Sequence, residues 1–281
     1  MVQPGADFAD LQRDTELSGS DGHYAALISP HWVVWSPQGG YLMALVLRAA
    51  GRATELGKPL SLACHFLSVP KVGPAEIQVT SLRKSRVAES LRLSLAQEGR
   101  VFLEALAWVG DTVPGLEHTA TDMPQVPGYE TIASRAVANP PPTSGFHTLW
   151  HNLEIRPCDP PSRERREAAE PRQRDWIRFR NFAPTADAFA DAGRYAMCLD
   201  TFTWPAATHA HPGDGRFIAP TLSFSIDFHQ RTQSEWLLSD AHAPYAGDGR
   251  IAMHQRVWSP EGALIASGAC TTICRPRPAG T

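Results

Sequence analysis

Cysteine is scarce in this chain: Cys64, Cys158, Cys198, Cys270 and Cys274 are the five present in 281 residues. So sparse and odd a set does not make a disulfide framework, and it points to reduced thiols and a cytoplasmic setting. Nor does it make a metal site. Cys270 and Cys274 are four apart in a strand-like run, with no C-x-x-C pair and no histidine at ligand spacing, so neither metal nor cofactor is expected. Long apolar runs are missing too, none approaching the ~20 residues that span a bilayer. The first 22 residues are polar and acidic, unlike a secretory signal. Charge of one sign is also lacking. A net charge of −3 supplies no broad basic surface for nucleic acid or anionic lipid.

Apolar residues are not in short supply. They make up 43% of the chain, enough for a full core in one large or two medium domains. The chain is organised around Ser36-Pro37-Gln38-Gly39-Gly40-Tyr41 and the run LMALVLRAAGRAT behind it. Ser36 suits a helix cap and Pro37 a first helical position. The residues that follow are apolar on nearly every side, which predicts a buried helix over 37–54. Gly39 and Gly40 would leave bare N–H groups at the positive end of its dipole, a place where a ligand or developing anion can be met.

Strand patterns follow. Leu60, Leu62, Cys64 and Phe66 alternate with Ser61, Ala63 and His65. Residues 75–83 alternate again, Leu91, Leu93 and Leu95 share one face, and 101–109 makes a further strand after the turn at Glu98-Gly99. Residues 110–146, rich in Pro, Gly and Thr, read as a linker. Strands are expected at 147–156 and 175–182. The charged stretch 163–174 reads as a solvated loop, with a phosphate-binding patch as its functional reading. A small-residue helix is expected at 185–199. Asp200 and a loop bearing Pro205, His209 and His211 follow, then strands at 220–229, 234–241, 249–258 and 263–275.

The two halves repeat. LSLACHF at 60–66 parallels LSFSIDF at 222–228, and nearly the same number of residues separates each from its later Glu-Gly turn, Gly99 or Gly262. One helix followed by four antiparallel strands, twice, predicts an α+β fold: each helix wrapped by a sheet, and the two sheets joined where each would otherwise leave an open edge. The units are placed at 1–112 and 147–281, with the linker at 113–146.

Taken in order, the Gly39-Gly40-Tyr41 helix start, HFLSVPKVGPAEIQVTSLRKSR, PTLSFSIDFHQRTQSEWLL and WSPEGALIAS resemble the type II acyl-CoA thioesterases, double-hotdog proteins. The resemblance spans about residues 22–275. It implies an acyl-CoA or other acyl thioester as substrate, its chain in a tunnel between the apolar helices. It also implies a site in the second half: an Asp at the helix end, a hydroxyl at the start of the next strand and a Gln on the last strand, together orienting a water. The matching positions are Asp200, Thr221 and Cys270. The chain departs from the pattern at Cys270, since a thiol is a weak donor and a weak acceptor where an amide is good at both. Gly39, Gly40 and Tyr41 are the candidate substrate-binding residues. Two alternatives follow from Cys270: a non-hydrolytic acyl-CoA-binding protein, and a repurposed hotdog enzyme (lyase, dehydratase or acyl transferase). Cys270 as a nucleophile would need a base such as His229 or His254 beside it. The joined sheet leaves outer faces and edges for a homo-oligomer.

Overall fold

The computed structural model describes residues 8–135, 147–159, 167–212 and 215–277. The first half runs α1 (Leu11–Asp14), β1 (Ser18–Ser20), β2 (His23–Ile28), α2 (Gly39–Ala53), β3 (Lys58–Phe66), β4 (Gly73–Lys84), β5 (Ala88–Gln97) and β6 (Arg100–Gly110). The second runs α3 (Leu149–Asn152), β7 (Leu153–Pro157), β8 (Arg172–Phe179), α4 (Ala188–Thr201), α5 (Thr203–Thr208), β9 (Phe217–Ile218), β10 (Thr221–Phe228), β11 (Trp236–Gly247), β12 (Arg250–Trp258), β13 (Leu264–Ile273) and β14 (Arg275–Pro276).

All but β9 and β14 join one twelve-stranded sheet in the order β1-β2-β4-β5-β6-β3-β10-β13-β12-β11-β8-β7. Its two halves are the same unit read in opposite directions, and they meet where β3 pairs antiparallel with β10. At that seam Ala63 pairs with Ser225, its own counterpart in the sequence repeat. The expected double-hotdog architecture is borne out, and the seam closes the edge each half would leave open.

The alternating strands bury one face. Leu91, Leu93 and Leu95 on β5, and Ile251, Met253 and Val257 on β12, all lie in the core against the helices. The helices α2 and α4 pack directly on one another, running in opposite directions. A side chain on Gly40 would meet the Met197 backbone at 2.5 Å, one on Gly193 the Ala44 side chain at 2.8 Å, and one on Gly51 the Phe189 ring at 2.6 Å. The two helices are in direct contact at these three points.

Three local expectations give way. Residues 147–156 are not one strand: α3 comes first, because the Asn152 amide donates to the His31 carbonyl and its oxygen accepts from the Ala9 N–H, which holds a helical turn before β7. The loop after Asp200 opens with a short helix, α5, that takes Pro205 into its first turn, and His209 beyond it is fully buried rather than solvated. The charged stretch reaches into β8. There Arg172 makes a two-pronged pair with Asp240 (2.7 Å each) and Arg174 pairs with Asp159 (2.8 Å), so these guanidinium groups are engaged by carboxylates, not presented as a phosphate patch. Residues 163–166 of that stretch lie outside the described residues.

Met123, Val126, Tyr129 and Ile132 pack over part of the outer face of the second half. Tyr129 stacks on Trp236 at 4.9 Å, and the Trp176 indole N–H donates to the Pro127 carbonyl at 3.0 Å. Trp236 and Trp258 are the core anchors expected of them.

Candidate active site

The site forms where the start of α2 meets the end of α4. Gln38, not Ser36, caps α2. Its side-chain oxygen accepts from the Tyr41 N–H at 3.0 Å, while its amide nitrogen donates to the Met197 carbonyl (3.2 Å) and the Thr201 hydroxyl (3.3 Å). One side chain thus satisfies an unpaired donor of one helix and bridges to the last turn of the other, which serine is too short to do.

Asp200 sits in the last turn of α4. Its own helix ends there in negative carbonyl charge, an unfavourable place for a carboxylate. The other helix compensates: the Gly40 N–H donates to Asp200 Oδ2 at 2.9 Å, and the Gly39 backbone also hydrogen-bonds the carboxylate. The bare N–H groups expected at this helix start are therefore committed to a carboxylate 160 residues away. Burial outweighs these bonds and pushes the Asp200 pKa up to about 6. Asp200 nevertheless keeps part of its surface accessible, whereas the preceding α4 residues are buried.

Tyr41 turns away from this point. It is fully buried, donating from its hydroxyl to the Asp14 carbonyl at 2.7 Å and accepting from the Ser29 N–H at 3.1 Å. Tyr41 therefore anchors the N-terminal segment instead of binding substrate. Phe66, partly buried, lies against Gly39 and gives the site an apolar wall.

Beneath Asp200 the sheet presents a row of paired residues on its helix-facing side: Cys64 on β3, Phe224 on β10, Cys270 on β13 and Met253 on β12. Burial and the Asp200 charge push the Cys64 and Cys270 thiols up to about 12. The two histidines considered as bases are elsewhere. His254 is exposed and pairs with Ala269, on the opposite face from Cys270, and His229 contacts the Ser267 hydroxyl at 2.9 Å. The partner of Cys270 is an amide: Gln255 Nε2 donates to Cys270 Sγ at 3.2 Å. A protonated thiol without a base is no nucleophile. Iodoacetamide at pH 8 is expected to leave Cys64 and Cys270 unmodified in the folded protein, read by peptide mass analysis; rapid labelling of Cys270 ahead of unfolding would contradict this.

Thr221 reaches the same face through a bulge. The register slips at Leu222, so Thr221 pairs with buried Thr272, two residues beyond Cys270 on β13. Asp200, Cys270, Gly39 and Gly40 are thus brought together, with Thr221 along the same strand face. Gln38 and Gln255 were not anticipated. Gln255 had left a signal, being a polar residue at an apolar-face position of an alternating strand.

Among the described residues there is no cluster of three metal-ligating side chains and no helix long and apolar enough to cross a membrane. A cavity of about 250 Å³ lined by Ser18, Tyr24, Glu76 and Gln78 opens on β1, β2 and β4, separated from β3 by β5 and β6.

The chain is similar to known proteins along both halves. Residues 28–110 match the family model for an acyl-CoA thioesterase N-terminal domain, and residues 130–272 the model for an acyl-CoA thioesterase C-terminal domain. Acyl-coenzyme A thioesterase 8 of Mus musculus is 24% identical over 269 residues, covering 88% of this chain and 83% of that one. The Homo sapiens protein of the same name is 23% identical over 258 residues, covering 85% and 81%. Among solved structures, a hot dog fold protein from Alicyclobacillus acidocaldarius superposes with a TM-score of 0.81 at 23% identity, covering 95% of this chain and 98% of that one. Acyl-CoA thioesterase II TesB2 from Mycobacterium marinum superposes with 0.78 at 20% identity, covering 97% and 100%.

Proposed function

This chain belongs to the acyl-CoA thioesterase family, matching it in both halves, and we propose that it hydrolyses acyl-CoA with a water held by Asp200 and Thr221. The observation that carries the mechanism is Asp200, the one α4 residue not fully buried, its carboxylate fixed by the Gly40 N–H of the opposite helix at 2.9 Å. Ionised Asp200 takes a proton from the water as the water oxygen bonds to the thioester carbonyl carbon. Thr221 contributes one hydrogen bond to the same water. The tetrahedral intermediate then breaks its C–S bond. The electron pair leaves on sulfur, which takes the proton from Asp200, giving the carboxylic acid and the CoA thiol. The same reading treats the chain as two units, 1–112 and 147–281, either side of a linker at 113–146. It sets them to work in a reducing cytoplasm on acyl-CoA of lipid metabolism. Exposed Leu106 and Trp108, on the uncovered outer face of β6, support assembly into a homo-oligomer.

The test is release of CoA from acyl-CoAs of graded chain length, followed by chromatography. Because the active form is the Asp200 carboxylate, with its pKa up to about 6, kcat/KM is expected to fall about tenfold per pH unit below about pH 6 and to level off above it. A profile flat from about pH 5 to 8 would remove Asp200 as the base.

A further inference from the structure

We propose that Gln255 is the amide that completes the water-binding set with Asp200 and Thr221, supplied from β12 in place of a glutamine at position 270. The inference rests on the hydrolytic reading above and names a further residue for it. Gln255 is 1% exposed and points to the helix side of the sheet, the face that carries Cys270 and lies under Asp200. Its Nε2 donates to Cys270 Sγ at 3.2 Å. That sulfur stands at the γ position, from which a glutamine side chain would extend one further carbon to its amide. An amide from the neighbouring strand therefore arrives beside the place where one from β13 would have ended.

Two further observations fit. The residue paired with Gln255 across β12 and β13 is Gly268, which has no side chain to block the reach along the strand toward Cys270. A side chain there would meet the Phe224 ring at 2.8 Å and the Ser225 carbonyl at 2.9 Å. In addition, Gln255 Oε1 is buried and accepts no hydrogen bond from any described residue. Buried polar atoms nearly always have a partner, and an unsatisfied one is costly. With its nitrogen turned to the weakly accepting sulfur, the amide has its oxygen left to accept a hydrogen bond from the attacking water. It thereby orients a water whose other proton goes to Asp200.

The experiment compares CoA release by the full chain, Gln255→Met, Gln255→Met/Cys270→Gln and Asp200→Asn, each with a melting curve. Methionine keeps the volume and removes the amide. Gln255→Met is expected to lower kcat about 10²-fold with KM within about threefold and no fall in Tm, the signature of a lost transition-state interaction. Adding Cys270→Gln is expected to restore kcat at least about tenfold, because it returns an amide to the same place from β13. A purely structural Gln255 would show the reverse: a lowered Tm and no rescue. Retention of kcat within about threefold in Gln255→Met, or a loss that a folded double variant fails to recover, would overturn the assignment. If the double variant does not fold, the kcat of Gln255→Met at unchanged KM and Tm decides. Full activity in Asp200→Asn would instead remove the hydrolytic mechanism itself, whereas an inactive Asp200→Asn beside a fully active Gln255→Met would remove only this proposal.

Discussion

Asp200→Asn is expected to reduce kcat for acyl-CoA hydrolysis by about 10³-fold or more while making the protein more heat-stable above pH 6. The two effects have one cause. The fold holds a carboxylate where burial favours its neutral form, pushing its pKa from 3.8 to about 6. A folded-state pKa above the unfolded one means that its contribution to stability is fully present below about pH 4 and is lost as pH rises through about 6. Asparagine stays neutral throughout and still accepts the Gly40 N–H through its side-chain oxygen. The variant should therefore match wild type in Tm near pH 4 and exceed it at pH 8, on the order of 2–4 °C for each kcal/mol recovered. Melting curves at the two pH values, run beside turnover assays, read both effects. A variant that is less stable at pH 8, or one that turns over at the wild-type rate, would contradict the account.

Gly40→Ala is expected to be among the most damaging small substitutions in the chain. The added Cβ would stand 2.5 Å from Met197 Cα, 2.7 Å from the Ala196 carbonyl oxygen and 3.0 Å from Gln38 Oε1. The first two are backbone of the opposite helix and cannot swing aside, so α2 and α4 must separate. Overpacking of this kind costs about 1–3 kcal/mol or more, beyond the ~1 kcal/mol that alanine gains over glycine in a helix. Separation also draws the Gly40 N–H away from Asp200 and breaks the Gln38 bridge to Met197, so turnover should fall together with Tm. Gly39→Ala provides the contrast. Its Cβ would meet the Asp200 Oδ2 atom at 3.0 Å and the Phe66 ring at 3.2 Å, both of them side chains. It should cost activity at Asp200 with a much smaller change in Tm. Equal losses of stability in the two variants would mean that the helix contact is softer than its geometry implies.

The strand periods were plain in the chain itself, because alternation reports which face meets the core. Leu91-Leu93-Leu95 needed no tertiary information, and neither did the parallel between 60–66 and 222–228. Asp200, Thr221 and Cys270 were picked out by resemblance to a family pattern, and Thr221 comes to the helix side only because a bulge at Leu222 restores the phase. The role of Gln255 is not legible in the chain alone because only sheet register sets it beside Cys270, fifteen residues on.

The amino-acid order by itself determined the elements and their duplication, since helix and strand periodicities are local and each amphipathic face announces that it must be covered. What the glycines at 39 and 40 face was decided only in three dimensions. Read locally, they promised bare N–H groups for a ligand. The antiparallel packing of two helices gave those groups to Asp200 instead, because a carboxylate at the negative end of one helix is most stable against the positive end of another.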